Sequence, residues 1–422
     1  MTSISSSPAA ATPAAPVRRL SFKLRALNQV GDALKKVGIR PINFRKEGLL
    51  KDAAKQTGLK DFGDPVFHDP LTRLGTSIDK EANLKLLNTI GHRIGFLVSL
   101  KKRLYIQQDL NRFPEISQVP VTAPLFILGM PRSGTTLLHN LLSMDDDARW
   151  LHPWEDEEPW PERPSPEAPD PRESKFRATL EARRAMNPKL AMMHDFDSPG
   201  ECDKLFSPTF FSHSHAVALN IPTYAQWLEE ASWQEWLPPY RYYRQQLQRL
   251  SWYRPGGTWV LRSPQHMGVL ETLLEVFPDA RCIHLHRDPK RSIPSASSFV
   301  VTQVQRERQA DPQKLGELIA GRLARRLDRT IASRKTLPAN HFFDIHYPDL
   351  LADPIATIRR VYDYFGLEMT ATSEHRMRGW LLDNPQHKRG VHKYTLEQFG
   401  LTAEKIDRLY GDYREYFGVQ TE

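Results

Sequence analysis

The chain has 422 residues, of which 40% are hydrophobic, 10% aromatic and 26% charged, a composition that excludes collagen-like and low-hydrophobicity disordered classes. Two cysteines, Cys202 and Cys282, exclude a disulfide framework and a four-cysteine zinc site, and the longest apolar runs, such as Ile94–Leu100 broken by Gly95 and Ser99, fall far short of a membrane span of roughly 20 residues. Fifty-eight Lys and Arg against 50 Asp and Glu leave +8, which favours an anionic partner: nucleic acid, an anionic lipid surface or a phosphorylated small molecule.

Residues 1–19 begin with a Ser, Ala, Thr and Pro stretch without periodicity and read as a disordered tail. Its Ser-rich, acid-poor character, with Arg18 and Arg19 ahead of the first acid at Asp32, also fits an organelle transit peptide. A secretory signal does not fit, because prolines precede the basic residues; with so few cysteines the expected compartment is the reducing cytoplasm. From 20 to 118 apolar residues recur at helical spacing, for example Leu24, Leu27, Leu34 and Val37, then Leu84, Leu86, Leu87 and Ile90. This predicts a helical amino-terminal subdomain, broken around Asp61–Asp69 by Gly63 and Pro65.

The pattern changes over 119–422. Pro124–Leu128 is a short continuous apolar run of the kind a buried parallel strand shows, followed by a glycine turn and a helix with Leu137, Leu138, Leu141 and Leu142 on one side. Thr258–Leu261, Arg281–Leu285 and His341–Ile345 are further strands. The alternation predicts an α/β fold with a central parallel sheet covered on both faces, interrupted by an insertion over 150–255. An insertion of that length is usually functional.

The segment Gly129–Thr136, GMPRSGTT, lies between strand and helix. Gly129 and Gly134 have the spacing of a phosphate-cradling loop, in which backbone N–H groups and a helix N-terminus surround an anion. The lysine that a nucleoside triphosphatase needs after the second glycine is replaced by Thr135, and the cation stands inside the loop as Arg132. A P-loop kinase or other nucleotide-dependent enzyme is the alternative reading. Downstream, Arg287 follows a strand directly, and Ser295 lies eight residues on. A guanidinium at a strand end can hold phosphate bidentately, with a serine hydroxyl as a neutral donor.

These two segments resemble the 3′-phosphoadenosine 5′-phosphosulfate-dependent sulfotransferases, specifically the broad bacterial group and, more distantly, the tyrosylprotein sulfotransferases. Thr57–Asp64, Leu137–Trp150, Trp259–Met267, Val276–Pro289 and Tyr394–Leu401 also look like the bacterial group. The resemblance implies a P-loop-type three-layer fold in which Arg132, Ser133, Gly134, Thr135 and Thr136 hold the 5′ phosphosulfate end of the donor, and Arg287 and Ser295 its 3′ phosphate. It also implies a basic carboxy-terminal loop on that phosphate, here Lys388 and Arg389 in KRGVHK, which matches the family's Gly-rich pattern only in character. Arg262 stands where many relatives carry lysine.

Sulfuryl transfer needs a held donor, charge stabilisation at the bridging oxygen and a base for the acceptor proton, without a metal. Arg132 and Arg262 are the expected stabilisers. Glu155, in WEDEEPW, is the expected base by its likeness to the tyrosylprotein group; His266, in RSPQH, competes by likeness to the cytosolic group, and His194 is a third candidate. The acceptor is expected to be a small molecule with a hydroxyl, less readily an amine, on a hydrophobic body. Phe206, Phe210, Phe211, Tyr224, Trp227, Trp233, Trp236, Tyr240, Tyr242 and Tyr243 could wall its pocket or form the core of the insertion. Basic residues are interspersed with acids, so nucleic acid is not the expected partner, and no integral membrane association is expected.

Overall fold

The computed structural model describes residues 22–157, 169–186, 202–307, 309–385 and 394–422. The tail expected over 1–19, together with His194, Lys388 and Arg389, lies outside the described residues.

The described residues open with four helices, α1 (Phe22–Lys36), α2 (Lys46–Thr57), α3 (His68–Glu81) and α4 (Leu86–Arg112). The break expected at Asp61–Asp69 is a single 3-10 turn, Pro65–Phe67, capped by the Asp64 side chain accepting from the Val66 N–H at 2.9 Å. There follow β1 (Leu125–Gly129), α5 (Thr135–Leu142), β2 (Ala148–Arg149), α6 (Pro153–Glu157) and α7 (Pro171–Met186). The insertion continues with α8 (His213–Ala218), α9 (Pro222–Glu230) and α10 (Leu237–Tyr253). Then come β3 (Thr258–Arg262), α11 (Leu270–Val276), β4 (Arg281–His286), α12 (Pro289–Glu307), α13 (Pro312–Thr336) and β5 (Phe342–His346). Four helices complete the chain: α14 (Tyr347–Ala352), α15 (Pro354–Phe365), α16 (Ala371–Asp383) and α17 (Ala403–Phe417).

The five strands form one parallel sheet in the order β2-β3-β1-β4-β5. All four strands expected from the sequence are present, each within a residue of its expected bounds; the fifth, β2, spans two residues and lacks any apolar run to announce it. Strand alternation sorts the core. Leu125 and Ile127 of β1 point with Val260, Ile283, Leu285 and Ile345 toward α5, α15 and α16, whereas Phe126 and Leu128 point with Trp259 and Leu261 toward the opposite face. That opposite core runs without interruption from Leu49, Leu71 and Leu100 of α2–α4, through Tyr240, Tyr243 and Leu247 of α10, to the sheet. The first helices and the insertion therefore share one hydrophobic interior with the strands.

A buried ion pair ties α4 to the insertion. Arg249, 2% exposed, donates through Nε to Asp109 Oδ2 at 2.7 Å and pairs with it again through Nη2, while the Tyr253 hydroxyl donates to the same oxygen at 2.9 Å. Removing one partner leaves an uncompensated charge in the core, a loss worth about 3–5 kcal/mol. Asp109→Asn should accordingly lower stability by about that amount in urea unfolding, with little change in the slope of the transition. A loss near zero would mean that water already reaches Arg249.

Candidate functional site

The carboxyl ends of β1, β3 and β4 converge where the strand order switches direction around β1, the place where open α/β sheets form ligand crevices. The loop between β1 and α5 is shaped by close approach. Gly129 has φ +145°, and a Cβ there would lie 2.8 Å from both the Leu285 carbonyl oxygen and Ser133 Oγ. Gly134 has φ +100°, and its Cβ would sit 2.7 Å from the Tyr347 ring. Arg132 adopts the left-handed region at φ +73° despite its side chain, a conformation that costs energy and that the surrounding contacts must hold. Inside the turn, Ser133 donates through its N–H and its hydroxyl to the Met130 carbonyl, at 3.2 and 2.8 Å. Beyond Gly134 the first N–H groups of α5, from Thr135 onward, have no carbonyl behind them within the helix, so they favour negative charge.

Three guanidinium groups surround this loop. Arg132 Nε donates to Ser295 Oγ at 3.1 Å, and Arg287 Nη1 donates to the Arg132 carbonyl at 3.0 Å. Arg262, almost fully buried at the end of β3, donates through Nη1 to Thr136 Oγ1 at 2.5 Å. The structure thus brings Arg132, Ser133, Gly134, Thr135, Thr136, Arg262, Arg287 and Ser295 together. Beneath them lies His139, whose Nε2 is 3.2 Å from the Val260 carbonyl; burial, helped by Arg262, pulls its pKa down to about 3, so it adds no charge. Arg287 is further fixed by the Tyr347 ring, 4.0 Å from its guanidinium carbon, and by the Glu422 carboxylate at 3.2 Å. Its own N–H donates to the Tyr413 hydroxyl at 3.3 Å.

The two described base candidates sit differently. Glu155, in α6, accepts from Arg149 Nη2 at 2.6 Å and Nη1 at 3.1 Å, and from the His152 N–H at 3.0 Å. Burial alone would raise its pKa, but Arg149 and His152 outweigh that and hold it below the ordinary glutamate value, so it stays an anion. His266 closes the 3-10 turn after β3 and is fully buried, with Nδ1 2.8 Å from the Tyr240 hydroxyl and the rings of Phe126, Phe206 and Tyr243 around it. Burial takes its pKa down to about 3.

Sequence reasoning missed Tyr347, Tyr413, Glu422 and Arg149. None has a local signature, since each acquires its role from a partner brought near by the fold. Of the proposed aromatic wall, Phe206, Phe210, Phe211, Tyr224, Trp236, Tyr240, Tyr242 and Tyr243 are buried, and all of these except Tyr242 belong to the continuous core. The sequence also held no sign of His284, His286 and Asp344 meeting across β4 and β5 with metal-ligand spacing. Asp344 there accepts from Arg334 at 2.9 and 2.7 Å and from His286 Nε2 at 2.8 Å, whereas both ring nitrogens of His284 are buried without a hydrogen-bond partner among the described residues.

Residues 124–371 match the sulfotransferase family. The ω-hydroxy-β-dihydromenaquinone-9 sulfotransferase Stf3 of Mycobacterium bovis and of Mycobacterium tuberculosis is 28% identical over 329 residues, covering 70% of this chain and 75% of the relative. Among solved structures, sulfotransferase STF1 of Mycobacterium tuberculosis superposes with a TM-score of 0.77 and 28% identity over 88% of this chain and 99% of its own. Sulfotransferase STF9 of Mycobacterium avium superposes with a TM-score of 0.80 and 28% identity over 91% of this chain and 99% of its own.

The Arg149–Glu155 pair has a measurable signature. Because folding lowers the Glu155 pKa, its contribution to stability is complete above the ordinary value of 4.5 and fades as the pH falls toward the folded-state value. Glu155→Gln leaves Arg149 buried beside a neutral amide and should cost about 3–5 kcal/mol at neutral pH. The variant should also lose less stability than the parent protein as the pH drops below about 4.5, measured by thermal unfolding across pH. Equal acid sensitivity in the two proteins would place the titrating carboxylate elsewhere.

Proposed function

The chain belongs to the sulfotransferase family, and we propose that it transfers a sulfuryl group from 3′-phosphoadenosine 5′-phosphosulfate to a hydroxyl on a hydrophobic acceptor. The observation that carries this reading is the meeting of the β1–α5 loop with Arg132, Arg262 and Arg287 at the carboxyl ends of the central strands. In it, Ser133–Thr136 take the 5′ phosphosulfate end, and Arg287 with Ser295 take the 3′ phosphate, joined by Lys388 and Arg389 from the sequence match. The acceptor class draws on Stf3, whose name specifies a hydroxylated dihydromenaquinone.

In the reaction the acceptor oxygen attacks sulfur, the bond between sulfur and the bridging oxygen breaks, and 3′-phosphoadenosine 5′-phosphate leaves with the bridging electrons. Arg132 and Arg262 stabilise the charge that develops on that oxygen, which is the part of the reaction where fixed cations count most. Metal is not needed for this, because the guanidinium groups supply the positive charge. Glu155 takes the acceptor proton, an assignment that rests on the likeness to the tyrosylprotein group; Arg149 keeps the carboxylate ionised and in one orientation, which also lowers its proton affinity. His266 serves the core through Tyr240.

Two measurements test the reading. Arg287→Ala loses a charge-assisted hydrogen bond of roughly 1.5–3 kcal/mol, so affinity for 3′-phosphoadenosine 5′-phosphate should fall about ten- to a hundredfold in calorimetry. Glu422→Gln, which frees the same guanidinium from a competing charge, should tighten binding about two- to fivefold. Adenosine 5′-phosphate binding as tightly as the 3′,5′-bisphosphate would overturn the assignment.

For the proton, Glu155→Gln should lower turnover by about a hundredfold or more at temperatures where it remains folded, in the presence or absence of EDTA, with donor affinity unchanged. His266→Ala should lower thermal stability but spare turnover of the folded fraction. The opposite pattern, normal turnover in Glu155→Gln and none in folded His266→Ala, would make the histidine the base.

A further inference from the structure

The first helix meets the protein through a face of mixed polar and apolar character. Gly31 is the one buried residue of α1, so close to α4 that a Cβ would lie 2.5 Å from Leu86 Cβ. The side chains beside it make polar contacts with the start of α4. Asn28 accepts from the Leu87 N–H at 3.1 Å, Asp32 pairs with Lys85 at 2.6 Å, and Lys35 donates to the Leu84 carbonyl. No α1 side chain belongs to any of the hydrophobic cores. Leu24, Leu27 and Leu34 lie on the half of the helix that carries Gly31, whereas Phe22, Ala26, Val30 and Ala33, continued by Val37 just past the helix, follow helical spacing along the opposite half, with Phe22 78%, Val30 54% and Val37 69% exposed. Leu27 and Ile39 flank the stripe and are also exposed, as is Ile94 on α4.

An apolar stripe left exposed along one helix face marks an interaction surface. Charge identifies its chemistry. Lys23, Arg25, Lys36 and Arg40 flank the stripe, and the single acid nearby, Asp32, is already engaged by Lys85. We propose that α1 docks this protein peripherally on an anionic lipid surface, the apolar stripe entering the interface between headgroups and acyl chains and the basic residues meeting lipid phosphates. A second copy of the chain is a poorer occupant: an isologous pairing would set the basic flank against itself. Spanning is not involved, since no helix among the described residues is long and apolar enough to cross a membrane. The helix on which α1 rests also touches the insertion, since His92 of α4 meets the ring of His215 in α8 with centroids 6.5 Å apart. Docking of this kind would bring the enzyme to hydrophobic acceptors where they reside, but the inference stands on α1 alone and not on sulfuryl transfer.

The test uses the full chain and extruded vesicles. Co-sedimentation should show binding to phosphatidylcholine vesicles containing about 30% phosphatidylglycerol, at least about tenfold weaker binding to pure phosphatidylcholine, and weakening between about 0.05 and 0.3 M salt. Phe22→Glu with Val30→Glu should reduce binding to the anionic vesicles at least about tenfold without shifting Tm, as both side chains lie outside every core. Lys23→Glu with Lys36→Glu, which leaves the stripe intact, should remove the preference for anionic lipid. Absence of binding to anionic vesicles, or unchanged binding by the Phe22/Val30 variant, overturns the proposal. A dimer in light scattering that the same Phe22/Val30 variant dissociates, with no lipid binding by either protein, would assign the face to a second copy instead.

Discussion

The register of β1 against β4 sets the working distance of the whole site. Gly129 stands opposite Leu285, and the lack of a side chain at Gly129 lets the Leu285 carbonyl come close enough to pin the loop to the neighbouring strand. Two residues past Leu285, Arg287 reaches back to the Arg132 carbonyl. One strand end therefore supplies the β1–α5 loop, the other supplies the Arg287 guanidinium, and their spacing is inherited from hydrogen-bonded pairing rather than from flexible side chains. A slip of one residue would carry Leu285 and Ile283 to the wrong face of the sheet as well, so the packing of the core enforces the geometry of the site.

How much of this was readable depends on how local each signal is. Four strands announced themselves because each is an apolar run bounded by turn residues, and the loop announced itself by two glycines at fixed spacing between strand and helix. β2 gave no such notice, being two residues held in place by Thr258 and Trp259 of its neighbour. Tyr347, Tyr413 and Glu422 were invisible for a related reason: they meet Arg287 across 60 to 135 residues of sequence, and no periodicity encodes that distance. Glu155 illustrates a subtler limit. An acidic run such as WEDEE reads as a solvated surface, yet this glutamate is 4% exposed because Arg149, six residues earlier, enters the interior with it.

The interior carries several such arginines, and their partners differ in kind. Arg249 has a carboxylate and Arg149 has one six residues on, in α6, while Arg103 is met by the backbone carbonyls of Phe62 and Asp64, each at 2.6 Å, and lies over the Phe67 and Tyr242 rings. Charges placed this way are costly unless every donor finds a partner, and each of these joins elements that hydrophobic contact alone would leave free to slide. Their positions are instructive: Arg103 and Arg249 bind the amino-terminal helices to the insertion, and Arg149 binds β2 to the segment that follows it.

The aromatic residues of the insertion have a double allegiance that bears on how this protein could change. Phe206, Tyr240 and Tyr243 pack on one another and on His266, and through Phe126 and Phe277 they reach the sheet. A mutation that trims one of them opens a cavity in the interior on which the strands rest, a penalty of about 3–5 kcal/mol for a large aromatic, a large part of the stability of a typical domain. Divergence toward new acceptors is thereby steered away from these rings and onto residues that the core does not own, so that in this lineage of folds the rim can drift while the scaffold beneath it stays put.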